Sequence, residues 1–395
     1  MNNKKEYTQY PLVQCYPFFL LFSLAASIVG ILCVLALHTT TSSFYPYSTY
    51  FIDGYTYSAI AKNLAIGLGK NFTPFYGLCR YKAFFTHPAL PFILESKFFV
   101  ILGIHWYSLH VLCFLTYLAT LIITCSLWKL HHKHINLSLT FLPISLWLLF
   151  PYNLIFYTTN YLEPLANVFS LLSVYLLVYS NKYQTIKGID NMFFLLGAAL
   201  SMDIALLING PLSLFVLFVE ISLYLAYKKH TLIFHWQRFI CFIFLSIGLM
   251  YLFFLIQPLA FDNIHQYFTN SLIPALQSKL QDSHYYSWHR GYIIVKWIYN
   301  SYIVLAIGLL ATFFQKKSPV IMIIRPSSKL YAMLTVVAVF PIMLSSKQFE
   351  HYSLQANTYC LLFVLSSLTP YIHEAIKRST LKLTTYYILM VTSIM

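Results

Sequence analysis

Two short segments, Phe51-Ile-Asp-Gly-Tyr-Thr-Tyr57 and Phe85-Thr-His-Pro-Ala-Leu90, place an acid and a histidine–proline turn within an otherwise apolar chain. Hydrophobic residues make up 59% of the 395 residues, and charged residues make up only 9%. Soluble proteins carry about 25% charged residues, so lipid must cover most of the surface of this protein. Because ionisable groups close to a bilayer are mostly kept for function, we expect the chemistry of the protein at the loop that holds these segments.

Apolar runs of about 20 residues, the length that crosses a bilayer as a helix, recur along the chain. They predict an all-α integral membrane protein with about eleven transmembrane helices, forming a single domain over residues 1–395. The predicted spans are 12–37, 106–128, 137–158, 164–180, 191–208, 211–227, 239–257, 291–314, 330–346, 352–371 and 381–395. Breaks at Leu162-Glu-Pro164 and Asn209-Gly-Pro211 indicate tight turns between adjacent spans.

The loop between the first two spans, residues 38–105, is too apolar to be a simple linker. Residues 53–66 predict a helix that begins with Asp53 as its N-cap. Residues 88–102 predict a second helix, which is too short to cross the bilayer and is expected to lie along the membrane interface. Such interfacial helices favour a cavity at the membrane boundary.

The distribution of basic residues predicts the orientation of the chain. With the N-terminus inside, sixteen of the 25 Lys and Arg residues fall in inner segments and eight in outer segments, while Lys296 lies within a span. This asymmetry explains the net charge of +14 without a nucleic-acid partner. The loop 38–105 is therefore predicted to face away from the cytoplasm. We expect the bacterial cytoplasmic membrane rather than the endoplasmic reticulum.

Two acids fall within predicted spans. Asp203 lies in mid-span, where a charge costs about 3 kcal/mol on insertion scales, so it is expected to face the helix bundle as a paired structural acid. Glu220 lies close to an inner end, and its side chain is expected to extend to the membrane surface.

Five segments follow one another in a recognisable order: Asp53-Gly-Tyr-Thr-Tyr57, His87-Pro-Ala-Leu90, Tyr161-Leu-Glu-Pro-Leu165, the span from Leu196 to Pro211, and Ser346-Lys-Gln-Phe-Glu-His-Tyr352. In this order the chain resembles the polytopic glycosyltransferases with the GT-C fold. The resemblance is closest to the branch of protein O-mannosyltransferases and lipid A aminoarabinose transferases, glycosyltransferase family 39. It covers the chain from residue 12 to about residue 370.

The chain departs from the family pattern at several positions. Gly54 stands where the family often has a second acid, and Thr56 stands where members acting on lipid A carry a basic residue. Ala89 replaces the second proline of a Lys-Pro-Pro or His-Pro-Pro turn, and Asn209 replaces the lysine of a Lys-Gly turn. These departures leave the type of acceptor and the mode of phosphate binding open.

The resemblance implies transfer of a sugar from a polyprenyl-phosphate donor to a lipid, protein or glycan acceptor on the non-cytoplasmic face. The sequence contains no glycine-rich phosphate loop, in keeping with a donor held by its lipid. An acceptor hydroxyl needs a base as it attacks the sugar, and Asp53 is the candidate, with helix capping as its alternative role. Glu163 is the second catalytic candidate. Three roles fit it: holding the acceptor, helping a metal, or capping its helix.

The leaving phosphate needs positive charge. The candidates are His87, Lys347, Arg80 and Lys82, and binding of lipid headgroups is the alternative for the last two. Tyr57, His351 and Tyr352 are predicted to line the acceptor pocket. No metal ligands are assigned and no cofactor is certain, with a divalent metal left as an open alternative. Two other functions stay open: a transporter or flippase of a lipid-linked sugar, and an inactive relative that only binds lipid. The lack of a visible internal repeat weighs against a carrier.

Overall fold

The computed structural model describes residues 52–78, 82–132, 141–147, 150–183, 188–228, 230–277, 291–314, 325–344 and 349–378. The helices are α1 (Ile52–Ala65), α2 (Leu90–Leu102), α3 (Trp106–His131), α4 (Phe141–Trp147), α5 (Pro151–Thr158), α6 (Leu162–Lys182), α7 (Gly188–Asn209), α8 (Val219–Tyr227), α9 (Leu232–Ile256), α10 (Pro258–Tyr267), α11 (Ile273–Leu276), α12 (Tyr292–Phe314), α13 (Arg325–Leu344) and α14 (Leu354–Arg378). The 3₁₀ segments Gly210–Phe218 and Glu350–Ser353 and the π-helical turn Phe268–Leu272 connect some of them. Strands β1 (Gly69–Lys70) and β2 (Thr73–Pro74) form a small antiparallel hairpin.

Six helical stretches in the described part of the chain are long and apolar enough to cross a membrane. They are Tyr107–His131, Leu162–Lys182, Asn191–Tyr227, Leu232–Ile256, Tyr292–Leu310 and Pro326–Leu344. They overlap the predicted spans 106–128, 164–180, 191–208, 211–227, 239–257, 291–314 and 330–346, and the protein is an integral membrane protein, as predicted. The predicted first and last spans, 12–37 and 381–395, lie outside the described residues. The predicted number of about eleven spans therefore stays a prediction.

The stretch Asn191–Tyr227 contains 37 residues, enough for two crossings, and the turn predicted at Asn209-Gly-Pro211 divides it. Gly210 has φ +69°, a left-handed conformation that costs little only for glycine. The Arg238 side chain bonds both Asn191, at the start of α7, and Glu220, in α8. Because the start of α7 and the start of α8 thus lie at the same level, the chain reverses direction at Gly210.

The predicted span 137–158 differs from the structure. Within the described residues it consists of two short helices, α4 and α5. The extended backbone of Phe150 marks the start of α5, and Pro151 occupies its first position, where a missing N–H costs no helical hydrogen bond. The hydrophobic periodicity identified the apolar run correctly but not the break before Pro151.

Both helices predicted in the loop 38–105 are present as α1 and α2, and they pack against each other. One detail was wrong: α1 begins at Ile52, so Asp53 lies in its first turn and is not the N-cap. A carboxylate in this turn still interacts favourably with the positive end of the helix dipole. The loop between α1 and α2 carries the β-hairpin and leads to the His87-Pro88 turn.

A buried ionic cluster joins α6, α7, α8 and α9 at the end of the bundle remote from α1. The two Glu220 carboxylate oxygens lie 2.9 Å from Arg238 and 2.8 Å from His235, and Arg238 also donates to Ser180 at 2.6 Å. Glu220 is only 1% exposed. The expectation that Glu220 extends to the membrane surface was therefore wrong, because its partners lie on a neighbouring helix. Asp203 faces the bundle as expected and accepts a hydrogen bond from Ser246.

The bundle core is aromatic and contains buried hydrogen bonds. Tyr157 donates to Thr120 at 2.9 Å and accepts from Asn167 at 3.1 Å, which links α3, α5 and α6. Such interhelical bonds contribute about 0.6–2 kcal/mol each in membrane proteins. On the other side, α9 leaves about half of its apolar side chains exposed, among them Phe244 and Ile256, as expected of a lipid-facing helix.

Candidate active site

The first turns of α1 bring Asp53 and Tyr57 to the end of the bundle. These residues are four apart and therefore lie on the same side of the helix. Asp53 is exposed, whereas Tyr57 is 4% exposed and packs against Phe84 and Phe92. The helix thus presents a carboxylate at the surface with a buried phenol directly behind it.

The His87-Pro88-Ala89 turn faces Tyr57. The Tyr57 hydroxyl lies 3.0 Å from His87 Nε2, and the two rings meet edge to face at 5.4 Å. The backbone N–H of Ala89 donates to Asn263 Oδ1 of α10 at 3.0 Å, which fixes the turn from the opposite side. The sequence predictions for Tyr57 and His87 therefore refer to two side chains that are in direct contact.

Glu163 lies in the first turn of α6 and is 4% exposed. Its Oε1 accepts a hydrogen bond from Asn209 Nδ2 at 3.1 Å, and His351 Nε2 lies 3.9 Å from the same oxygen. Asn209 is the last residue of α7, directly before the Gly210 reversal. The two turns predicted from Pro164 and Pro211 therefore meet, and they bring an amide to a buried carboxylate.

The 3₁₀ segment before α14 places His351 and Tyr352 beside Glu163. The His351 ring lies 4.7 Å from the Tyr161 ring and stacks on Phe349 at 5.4 Å. In the same segment, Glu350 lies 3.5 Å from Lys296 of α12. Two distant parts of the sequence, around residues 163 and 351, therefore meet at the start of α6.

The pKa values of Tyr57 and Tyr161 are both raised by nearby acids. Burial raises the pKa of Tyr57, and the negative charges of Glu163 and Asp53 raise it further. Burial also raises the pKa of Tyr161, and Glu163, Glu350 and Asp53 add to the effect. Each phenol therefore keeps its proton at neutral pH, and the charges of both Asp53 and Glu163 contribute to the rise of its pKa.

His351 has the opposite shift. Burial and, to a smaller extent, the nearby His87 lower its pKa to about 3. His351 is therefore a neutral imidazole at pH 7, and its approach to Glu163 is a polar contact rather than an ion pair. Because a neutral imidazole keeps one N–H and one lone pair, it can orient a hydroxyl without adding charge.

The predicted phosphate-binding residues are only partly covered by the structure. His87 is half-buried in the site, and Lys82 is exposed on the loop that leads to it. Arg80 and Lys347 lie outside the described residues. Lys296, which was placed within a span and given no role, holds Glu350 next to His351 and lies over the ring of Tyr292.

Sequence reasoning also missed Glu95 and Asn160. Glu95 is 2% exposed and accepts hydrogen bonds from Ser58 and Asn160. Burial raises the pKa of Glu95 to about 7, although the bonds from Asn160 and Ser58 oppose that rise. The only signal in the sequence was an acid in the middle of the apolar run of α2.

A metal site was left open by the sequence. In the ranges that the structure describes, no group of three or more His, Cys, Asp or Glu side chains is arranged to hold a metal ion. The described side chains at the site are carboxylates, histidines, phenols and amides, with Lys82 on the loop before His87.

Comparison with solved structures identifies the fold. The crystal structure of ArnT from Cupriavidus metallidurans bound to undecaprenyl phosphate superposes with a TM-score of 0.58 at 12% identity, covering 88% of this chain and 59% of that one. The structure of the same protein in the apo state gives a TM-score of 0.55 at 13% identity, covering 87% and 59%. The chain thus spans about three fifths of the length of these structures. No protein-family model and no curated protein matches the sequence. The all-α GT-C-like fold predicted from the sequence is confirmed.

Proposed function

We propose that this protein is an inverting membrane glycosyltransferase that moves a sugar from a polyprenyl-phosphate donor to an acceptor hydroxyl on the non-cytoplasmic face of a bacterial membrane. The observation that carries the proposal is the contact between Tyr57 and His87, in a place where the charges of Glu163 and Asp53 both raise the pKa of Tyr57. A fold shared with ArnT, one of whose structures holds undecaprenyl phosphate, supports the donor class.

Asp53 is assigned as the general base. Its carboxylate is exposed, so an acceptor can reach it, whereas the Glu163 carboxylate is buried and already accepts a bond from Asn209. In the transfer step the acceptor oxygen forms a bond to the anomeric carbon while the bond from that carbon to the phosphate oxygen breaks. The acceptor proton passes to Asp53, and polyprenyl phosphate leaves with the electron pair. A base within hydrogen-bond reach accelerates such a step by about 10²–10⁴-fold.

Glu163 is assigned an electrostatic role. Glycosyl transfer passes through a transition state in which the sugar carries positive charge near the anomeric carbon. A buried carboxylate with few competing solvent contacts stabilises that charge more strongly than an exposed one. Asn209 and His351 keep the carboxylate in place. Tyr352 and Tyr161, which adjoin His351, form the wall proposed to contact the acceptor.

The phosphate is assigned to the His87 turn. His87 lies behind Tyr57, and Lys82 precedes it on the same loop. Arg80 and Lys347 are proposed as further phosphate ligands from their sequence positions. Membrane lipid holds the polyprenyl tail, so the protein needs to bind only the phosphate and the sugar.

Carrier activity has less support. Away from the site, the buried charges are engaged within the bundle: Glu220 binds Arg238, and Asp203 binds Ser246. Charges along a transport path must exchange partners as the substrate passes, and these contacts instead join neighbouring helices.

The experiment is a donor panel. Purified protein in lipid nanodiscs is incubated with polyprenyl-phosphate sugars and mixed lipid, peptide and glycan acceptors, and released polyprenyl phosphate is quantified. We expect release with at least one donor and only when an acceptor is present. If proteoliposomes instead move intact donor between leaflets with no release from any donor, the protein is a carrier and the proposal fails.

A further inference from the structure

Glu95 is a buried acid that the proposed chemistry does not use. It lies in the middle of the apolar helix α2 and is 2% exposed. Burying a carboxylate is costly unless hydrogen bonds compensate for lost water. Glu95 Oε1 accepts from Ser58 Oγ at 2.8 Å, and Oε2 accepts from Asn160 Nδ2 at 3.0 Å. Both carboxylate oxygens are therefore committed to neighbouring elements.

Asn160 extends the same network to the backbone of α1. Its Nδ2 lies 3.2 Å from the carbonyl oxygen of Gly54 and 3.0 Å from Ser58 Oγ. Gly54 follows Asp53 directly in the chain, and Asn160 precedes Glu163 by three residues. One amide and one carboxylate thus connect the segment that carries Asp53 to the segment that carries Glu163.

Glu95 is enclosed by the protein. The cavity that it borders is small, about 20 Å³. Its other walls include Pro91, Leu112, Leu162 and Leu165. Because both of its oxygens are already bonded and the residue is only 2% exposed, we assign Glu95 no direct part in bond making.

We propose that Glu95 and Asn160 are positioning residues, which fix α1 against the start of α6 and thereby set the distance between Asp53 and Glu163. This inference rests on the proposed transferase function. A displacement of about 1 Å in a catalytic group can lower a rate about 100-fold, so a contact that holds α1 in register is needed even though it lies outside the substrate site.

The charge state of Glu95 gives the network a pH dependence. Burial raises its pKa to about 7. The ionised carboxylate accepts from Ser58 and Asn160 together, whereas the protonated acid turns one oxygen into a donor and disturbs one of the two bonds. Among the described residues, the other titratable side chains that border its cavity are Cys113 of α3, Tyr157 of α5 and Tyr161 before α6. None of them carries a positive charge that would hold the Glu95 pKa down.

The test uses four variants in nanodiscs: Glu95→Gln, Glu95→Ala, Asn160→Ala and the control Ser96→Ala. Ser96 is the buried neighbour of Glu95, but its hydroxyl bonds only the Ile93 carbonyl of its own helix. We expect Glu95→Ala and Asn160→Ala to lower kcat by on the order of 100-fold with a small change in KM for the donor. The kcat of the double variant Glu95→Ala/Asn160→Ala should be no lower than that of the slower single variant, because each single substitution already breaks the same hydrogen-bond network.

Glu95→Gln distinguishes a positioning role of Glu95 from a role in the stability of the fold alone. Glutamine keeps the shape of the side chain but cannot ionise. We expect the kcat of the wild-type protein to fall as pH drops through about 7, and the kcat of Glu95→Gln to lie at the reduced level at both pH 6 and pH 8. Unchanged kcat per folded molecule in all Glu95 and Asn160 variants would overturn the proposal.

Hydrogen–deuterium exchange provides a readout that does not depend on transfer. Glu95→Ala should increase exchange in residues 52–65, and Ser96→Ala should not. If the wild-type protein transfers no sugar but α1 still loosens in Glu95→Ala, the function proposal fails while the positioning contact stands. If sugar transfer is observed and α1 exchange does not change, the positioning proposal fails alone.

Discussion

Replacing Asp53 by Asn tests the base assignment with little structural disturbance. The asparagine side chain has the same shape, and Asp53 is exposed, so neither a cavity nor a buried unpaired group results. The structural loss is the favourable interaction of a carboxylate with the first turn of α1, about 0.3–1 kcal/mol. The catalytic loss is much larger. A general base contributes about 10²–10⁴-fold, equivalent to about 2.7–5.4 kcal/mol of the barrier.

The two magnitudes predict separate outcomes for rate and stability. We expect kcat to fall at least about 100-fold in Asp53→Asn, with an almost unchanged thermal unfolding midpoint. The assay is release of polyprenyl phosphate from the donor identified by the panel, corrected for folded protein. Asp262→Asn is the matched control, because Asp262 is also an exposed acid on a short helix and has no assigned role. Turnover of Asp53→Asn within about threefold of the wild-type value, less than about 0.7 kcal/mol of barrier, would refute the base assignment.

Three further predictions follow from contacts elsewhere in the structure. Gly210→Ala should lower the thermal midpoint for two reasons: a left-handed non-glycine residue costs about 1–2 kcal/mol, and the added Cβ would overlap the Tyr267 hydroxyl. In the same melt, Gly210→Ala/Tyr267→Ala should recover only the part of the loss that comes from this overlap. Arg238→Met should lower the free energy of unfolding by up to about 3–5 kcal/mol, because the buried Glu220 then keeps only His235 as a partner. Glu220→Leu/Arg238→Met should recover most of that loss in denaturant titrations. The third concerns His351, whose pKa is lowered from 6.5 to about 3, so that the unfolded state binds the proton more readily than the folded state. The stability of the protein should therefore decrease as pH falls below 6.5. In pH-dependent melts, His351→Asn should make that decrease smaller.

The sequence predicted those features that local patterns determine. Helices α1 and α2 follow from apolar periodicity over about four turns, and the reversal at Gly210 follows from the conformational freedom of glycine next to Pro211. The split between α4 and α5 was missed although Pro151 was visible, because the surrounding run is apolar throughout. In a membrane protein, apolar periodicity locates lipid-compatible segments more reliably than it locates their ends.

The parts that could not be predicted depend on distant partners. Glu95 and Asn160 are 65 residues apart in the chain, and Glu220 meets Arg238 from the next helix. An isolated acid in an apolar run has the same sequence signature whether it extends to the membrane surface, pairs within the bundle or positions another helix. Only the packing of the helices distinguishes these cases, and no local pattern encodes that packing.

The contact between Tyr57 and His87 links the two halves of the proposed reaction. Tyr57 keeps its proton at neutral pH because it is buried and faces Glu163 and Asp53. Its hydroxyl can therefore donate to a neutral His87 Nε2, or accept from it when His87 is protonated, without a change in ring position. A histidine held in this way keeps one orientation throughout the proposed transfer, so its contact with Tyr57 connects the proposed phosphate side of the site to the helix that carries Asp53.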